Sequence, residues 1–346
     1  MHIFDYSVLQ NEIPADISEL SNIIYDLKGK NTLRKQTNSR VFESLRASAI
    51  IDSISGSNAI EGIVTTKKRM EKITSPEFIP ATRSETELLG YRNVLSEIYD
   101  GKIQGSISPN FVMHLHKTLL MMVTPDAGRF KTENNWIQER DEKGHISVRI
   151  TPVSFKETPE AVEQWALAYE SARQDYGISK LYLICCSVVD FLCIHPFIDG
   201  NGRVSRLLTS YLLEREGFDI GRYISIDKKI NEYKYNYYEA LKEASIGWHE
   251  NKQDYTPFLV FMMQILYSCY KDLDNRFYEA STKNIPKKEQ VESILMNAIV
   301  PISKTDILNK VPEVSVSTVE RVLAKLVKEN KIIKIGTFKD ARYKRK

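Results

Sequence analysis

Charge of one sign is what this sequence lacks: 48 Lys and Arg stand against 45 Asp and Glu, a net +3 over 346 residues. The chain as a whole is therefore no nucleic-acid coating protein, and any basic patch must be local. Cysteine is also scarce. Cys185, Cys186, Cys193 and Cys269 form no CxxC pair and stand in apolar, helix-like runs, which predicts reduced thiols acting as small hydrophobes in a cytoplasmic protein. Long apolar runs are missing: the longest, residues 181–197, carries Asp190 and His195 and is short for a membrane span. It reads as a buried helix, and no membrane partner is expected. The opening, MHIFDYSVLQNEIPADISEL, has neither a basic start nor an apolar run before a small-residue cleavage site, so no secretory signal is expected. Repeats and low-complexity tracts are absent as well. What is present is 42% hydrophobic and 10% aromatic residues, enough to bury a core and to predict two or three folded domains.

Apolar residues recur mostly at three- and four-residue spacing, which predicts a mainly helical, all-α chain. Residues 1–100 read as an N-terminal helical region, with one helix near Arg40–Ser53 and another opening near Ser57. Residues 101–283 read as a helical body interrupted by a β-hairpin, where NNWIQ and HISVRIT flank the charged turn RDEKG. Asn284-Ile285-Pro286 punctuates the start of a third unit, residues 284–346. Three helices are expected there, the second capped by Ser303 with Asp306 and the third by Ser317 with Glu320. Val319, Val322, Leu323, Leu326 and Val327 make one stripe of that third helix. The ending KIIKIGTFKDARYKRK reads as strand, turn, strand, which completes a winged helix-turn-helix. From Arg321 onward ten Lys/Arg face two Asp/Glu, leaving +8 on that stretch and −5 on the remainder.

The segment with chemistry in it is His195-Pro196-Phe197-Ile198-Asp199-Gly200-Asn201-Gly202-Arg203-Val204-Ser205-Arg206, a junction between two apolar helices. Pro196 ends the first helix, and Gly200 and Gly202 permit conformations and approaches that a Cβ forbids. The backbone N–H groups of Gly200, Asn201 and Gly202, at the positive end of the following helix, suit phosphate oxygens. Arg203 and Arg206, three apart, add charge-assisted donors. Asp199 offers a hard oxygen to Mg²⁺ shared with phosphates and water, and His195 can accept a proton from an attacking hydroxyl. A bare GNG is an ordinary turn. Nine specified positions in twelve are not.

At these residues the chain resembles the Fic family, whose motif is HPFx(D/E)GNGRxxR. The resemblance implies the Fic helical fold and transfer of AMP from ATP to a protein hydroxyl on Ser, Thr or Tyr, of a target or of the chain itself. It assigns His195 as base, Asp199 to the metal, and Arg203 and Arg206 to the phosphates. Leu115-His116, Gly128-Arg129-Phe130 and Asn135-Trp136-Ile137 look like the family's helix and the entrance to its target-binding flap. Tyr237-Tyr238 with Leu241, and Asp254-Tyr255-Thr256-Pro257-Phe258, look like its closing helices, with Tyr238 near adenine. Where relatives often carry Asn, seven residues on, this chain has Ser245. His114 and His116, two apart, fall on different faces of a helix and are expected at the surface or in packing.

Ser57-Asn58-Ala59-Ile60-Glu61-Gly62 matches the family's inhibitory pattern (S/T)xxxE(G/N), placed before the catalytic core. The resemblance implies that Glu61 takes the Arg206 site and displaces the γ-phosphate. Two other readings stand beside adenylyl transfer: removal of AMP by the same site with Glu61 positioning water, and a DNA-binding regulator whose Fic core senses nucleotide. The expected partners are ATP, a protein target and a DNA or protein partner at the winged helix, with room for a homo-oligomer.

Overall fold

Helices account for nearly all regular structure in the computed structural model, which describes every residue except 1, 11–12, 38, 76, 141–145, 284–286, 297, 299–300, 313 and 337–340. In chain order they are α1 (Ala15–Thr37), α2 (Ser39–Ile60), α3 (Lys67–Met70), α4 (Arg83–Tyr99), α5 (Pro109–Leu120), α6 (Thr158–Gln174), α7 (Lys180–Ile194), α8 (Asn201–Arg215), α9 (Ile226–Glu232), α10 (Lys234–Ser245), α11 (Thr256–Lys283), α12 (Lys287–Met296), α13 (Lys304–Lys310) and α14 (Val316–Lys328). The strands are β1 (Ile137–Arg140), β2 (Ile146–Ile150), β3 (Ile302–Ser303), β4 (Ile332–Ile335) and β5 (Arg342–Arg345). The chain divides into two compact units, residues 1–273 and 274–346.

The first unit is organised around α7. All but two of its residues are buried, and it packs against α6 and α8. Its one acidic residue, Asp190, accepts hydrogen bonds from Tyr6 Oη (2.7 Å), Trp248 Nε1 (2.8 Å) and Tyr255 Oη (2.7 Å). Burial pushes its carboxyl up to about 6 despite those three donors. Thr82 and Ser108 cap α4 and α5 through side-chain oxygens that accept the N–H groups of Glu85 and Phe111. Gly90 lets α4 lie directly on α5, since a Cβ there would fall 1.9 Å from the Leu119 carbonyl oxygen.

The two helices expected at Arg40–Ser53 and Ser57 are one. α2 runs unbroken from Ser39 to Ile60, through Gly56, and Ser57 lies in its last turn. Gly56 is retained there because α2 presses on α9: a Cβ would lie 2.6 Å from the Lys228 backbone nitrogen. Gly62, at φ +76°, ends the helix in the left-handed conformation that glycine adopts freely.

The expected hairpin forms, with β1 and β2 antiparallel and Ile137 opposite Ile150. Its charged turn lies outside the described residues, apart from Arg140.

In the second unit α12, α13 and α14 surround a core of Val291, Leu295, Ile307, Val319, Val322, Leu323 and Leu326. Val327, expected in the stripe, is 40% exposed. β3, β5 and β4 form an antiparallel three-stranded sheet in that spatial order. Ser303 and Asp306 make the expected reciprocal capping box. The cap of α14 is Ser315, whose Oγ accepts the Thr318 N–H, and not Ser317. Glu320 instead pairs with Lys304 Nζ at 2.7 Å. The Asn284–Pro286 break lies outside the described residues.

Candidate active site

The loop between α7 and α8 is closed by its own side chains. Phe197, fully buried, stacks on His116 with ring centroids 3.9 Å apart and planes 5° apart. Asn201 brackets the same residue: its Oδ1 accepts the Phe197 N–H at 3.0 Å and its Nδ2 donates to the Phe197 carbonyl at 2.7 Å. His195 caps α7 in the left-handed region (φ 51°, ψ 61°), a conformation that costs a non-glycine residue about 1–2 kcal/mol. Its Nδ1 lies 3.2 Å from the Leu192 carbonyl oxygen. A carbonyl only accepts, so the proton sits on Nδ1 and Nε2 carries the lone pair a general base needs.

One of the three backbone donors expected to face phosphate is already occupied. The Gly200 N–H already donates to Asp199 Oδ1 at 2.6 Å, so the donors are the N–H groups of the first turn of α8, beginning at Asn201, which have no acceptor within their helix. Above that turn lies the Glu61 carboxylate. A Cβ on Gly202 would fall 2.5 Å from Glu61 Oε1, and the C-terminal end of α2 thus meets the N-terminal end of α8. A carboxylate is disfavoured at the first terminus and favoured at the second.

Arg206 joins the two helices. Nε donates to Ser57 Oγ (2.7 Å), and Nη2 donates to the Ser57 carbonyl (2.9 Å) and Glu61 Oε1 (2.8 Å). Burial disfavours the guanidinium charge, but Glu61, Tyr237, Tyr91 and Asp227 around it hold its pKa above the ordinary arginine value. Nη1 is buried without a hydrogen-bond partner among the described residues. Arg203 is paired differently: Nη1 donates to Glu87 Oε2 of α4 at 2.6 Å, and Nη2 lies 3.8 Å from Asp199 Oδ2. The Asp199 side chain is 68% exposed.

These groups line one cavity of about 520 Å³, with Glu61, His195, Asp199, Gly200, Asn201, Gly202, Arg203 and Arg206 on one wall and Tyr235, Tyr237, Tyr238 and Glu239 of α10 on another. Ile137 of β1 reaches its edge. Of the expected site residues, only Ser57 and Gly62 lie off the wall. Ser57 stands behind Arg206, and Gly62 sets the turn that delivers Glu61.

The sequence reading missed Glu87, 116 residues before its partner. It also placed His116 too loosely. His114 does lie near the surface, 3.3 Å from Glu97 Oε2. His116 is 3% exposed, and burial pushes its pKa down to about 4, so the ring is neutral. Its Nδ1 accepts the Gly128 N–H at 2.9 Å and its Nε2 donates to the Asp199 carbonyl at 3.2 Å. The ring therefore fixes the loop that presents Asp199. A buried histidine between Leu115 and Leu119 is the only sequence signal for that role.

Residues 106–213 match the model of the Fic/DOC family. The chain is 27% identical over 222 residues to the protein adenylyltransferase Fic of Nematostella vectensis, covering 62% of this chain and 46% of that one. It is 28% identical over 204 residues to the Drosophila melanogaster protein of the same name, covering 58% and 36%. The chain thus spans less than half the length of these curated relatives. A Fic family protein from Desulfovibrio desulfuricans has the same fold over 97% of both chains (TM-score 0.62, 20% identity), as does Fic-1 from C. elegans over 75% of this chain and 72% of that one (TM-score 0.58, 21% identity). The signature loop, closed on itself, and both motif arginines, on the wall of one cavity, fall within residues 106–213, the part of the chain that matches the Fic/DOC family model.

Proposed function

We propose that the chain is an autoinhibited protein adenylyltransferase that moves AMP from ATP to a Ser, Thr or Tyr hydroxyl of a protein. The observation that carries this reading is the Glu61 carboxylate on Arg206, 2.8 Å away, within a cavity that also holds His195 and the first turn of α8. With Glu61 withdrawn, Arg206 and the α8 N-terminus receive the phosphates and Tyr238 flanks the base. His195 Nε2 takes the proton of the acceptor hydroxyl as its oxygen bonds to the α-phosphorus. The bond from that phosphorus to the bridging oxygen breaks, and pyrophosphate leaves. The exposed Asp199 carboxylate, oriented by the Gly200 N–H, suits Mg²⁺, which when bound would neutralise phosphate charge. Among the described residues no three His, Cys, Asp or Glu side chains converge as a metal site. With Glu61 in place, its charge repels the γ-phosphate and ATP binds unproductively.

The same reading divides the chain into an inhibitory N-terminal region, residues 1–100, a catalytic core, 101–283, and a winged helix, 284–346. The order α12, β3, α13, α14, β4, β5 and the +8 ending support the last. Low-salt binding of duplex DNA that weakens steeply with added salt checks it, since Lys/Arg contacts release counterions; no binding at low salt assigns the unit to a protein partner. Four buried cysteines, none of them in a disulfide, support a cytoplasmic location, and among the described residues no helix is long and apolar enough to cross a membrane.

Incubation of the native chain and Glu61→Gly with ATP labelled at the α- or γ-phosphate tests the chemistry. Protein retaining α-label supports AMP transfer, and γ-label alone assigns phosphate transfer. No label from either chain, with a confirmed acceptor present, overturns the reading.

A further inference from the structure

His195 is gripped from a segment outside its own motif. Lys131, four residues before Asn135 on the approach to β1, donates its backbone N–H to the Pro196 carbonyl at 2.9 Å. Its Nζ donates to the Ile194 carbonyl at 3.2 Å and to Asn135 Oδ1 at 3.0 Å. Asn135 Nδ2 in turn donates to the Phe197 carbonyl at 2.9 Å. The carbonyls of residues 194, 196 and 197 are thus all held from one side by two residues, with His195 between them.

Lys131 is an unusual choice for such a brace. It is 3% exposed, its ammonium meets two neutral oxygens, and burial pushes its pKa down to about 8. Burying a charge against neutral acceptors is costly, and a glycine could end α7 without that cost. Two features repay it. The ammonium lies at the negative end of α7, where a cation is favoured, and its fork of donors joins that end to the hairpin's approach segment. A left-handed histidine is not a conformation the backbone holds unaided.

We infer that Lys131 and Asn135 are positioning residues that fix the backbone on both sides of His195 and lock the base to the approach segment of the β1–β2 hairpin. The inference rests on the reading of His195 as the base of adenylyl transfer. Displacement of the imidazole by an ångström is enough to cost about 10²-fold in turnover, without altering the groups that hold the phosphates.

The test uses the full chain carrying Glu61→Gly as parent, with Lys131→Met, Asn135→Leu and Asn135→Asp added singly. Turnover and the ATP dissociation constant are measured with α-labelled ATP, the His195 ring by ¹⁵N NMR, and the folded fraction by circular dichroism. Lys131→Met and Asn135→Leu should lower turnover by about 10²-fold while ATP affinity stays within about threefold. Lys131→Met should also shift or double the His195 ring resonances. Asn135→Asp keeps the acceptor for Lys131 but loses the donor to Phe197, so its loss should be smaller, about tenfold. Unchanged turnover, an unchanged ring spectrum in Lys131→Met, or losses that follow the folded fraction would each overturn the inference. If the parent transfers no α-label, adenylyl transfer fails as the activity while the ring spectrum still decides the positioning role.

Discussion

Arg203 and Glu87 form a buried ion pair across two helices, 2.6 Å apart, with side-chain exposures of 2% and 8%. Arg206 meets a carboxylate too, but on the C-terminal end of α2, where Glu61 is 32% exposed and faces the cavity. The two motif arginines thus have partners of opposite character, one enclosed between α4 and α8 and one on the cavity wall.

Removing the enclosed partner should be a stability defect. Glu87→Ala strands a buried guanidinium and should cost about 3–5 kcal/mol, while Glu87→Gln, which keeps an acceptor oxygen, should cost less. Urea midpoints of the two variants check the order, and equal midpoints would contradict it.

Removing the cavity-facing partner should be a gain of activity. Glu61→Gly should raise adenylylation about ten- to a hundredfold, the equivalent of a charge-assisted hydrogen bond of about 1.5–3 kcal/mol. Arg206→Ala breaks the same pair yet should not activate, because the phosphates lose their donor. The double variant should resemble Arg206→Ala. Equal activity of the native chain and Glu61→Gly, with α-labelled ATP and a confirmed acceptor, would remove Glu61 from regulation.

His195→Ala in the Glu61→Gly background should lower transfer by about 10² to 10⁴ and leave ATP affinity nearly unchanged, since Arg206 and the first turn of α8 remain. Near-normal transfer at neutral pH would refute the base assignment.

A change remote from the motif should also release the inhibition. Gly56→Ala puts a methyl 2.6 Å from the Lys228 nitrogen and must lift α2 from α9, at a cost of about 1–3 kcal/mol. Basal adenylylation should rise with the lowered melting temperature. A destabilised variant with native basal activity would show that α2 can shift without moving Glu61.

The legible parts of the site were those in which contiguous residues carry the chemistry. His195 to Arg206 could be read because a loop and the helix after it carry the histidine, the carboxylate, the glycines and both arginines within twelve positions. Glu61 was legible through its spacing from Ser57 and Gly62. Glu87, His116 and Lys131 were not, since each acts across 63 to 116 residues on a backbone oxygen or a buried guanidinium, and a single sequence records no such pairing. The same limit governs the fold. Helical periodicity marked the elements, but α2 read as two helices, near Arg40–Ser53 and from Ser57, because the packing of Gly56 on α9 is invisible locally. At α14 two serines compete for the cap, and the chain uses Ser315, next to the buried Val314, to start the helix two residues earlier than Ser317 would.

Ser57 holds two of the Arg206 nitrogens, from its hydroxyl and its carbonyl, and Glu61 supplies only the third contact. The guanidinium therefore keeps two of its three contacts without the carboxylate, and on the proposed reading a receptor for phosphate would be preorganised before Glu61 leaves. Opening the site then requires rotation about the side-chain bonds of one partly exposed residue, a motion of picoseconds to nanoseconds. A latch worth about 1.5–3 kcal/mol leaves the site open about 1 to 10% of the time. On the proposed reading, the chain would be throttled rather than switched off.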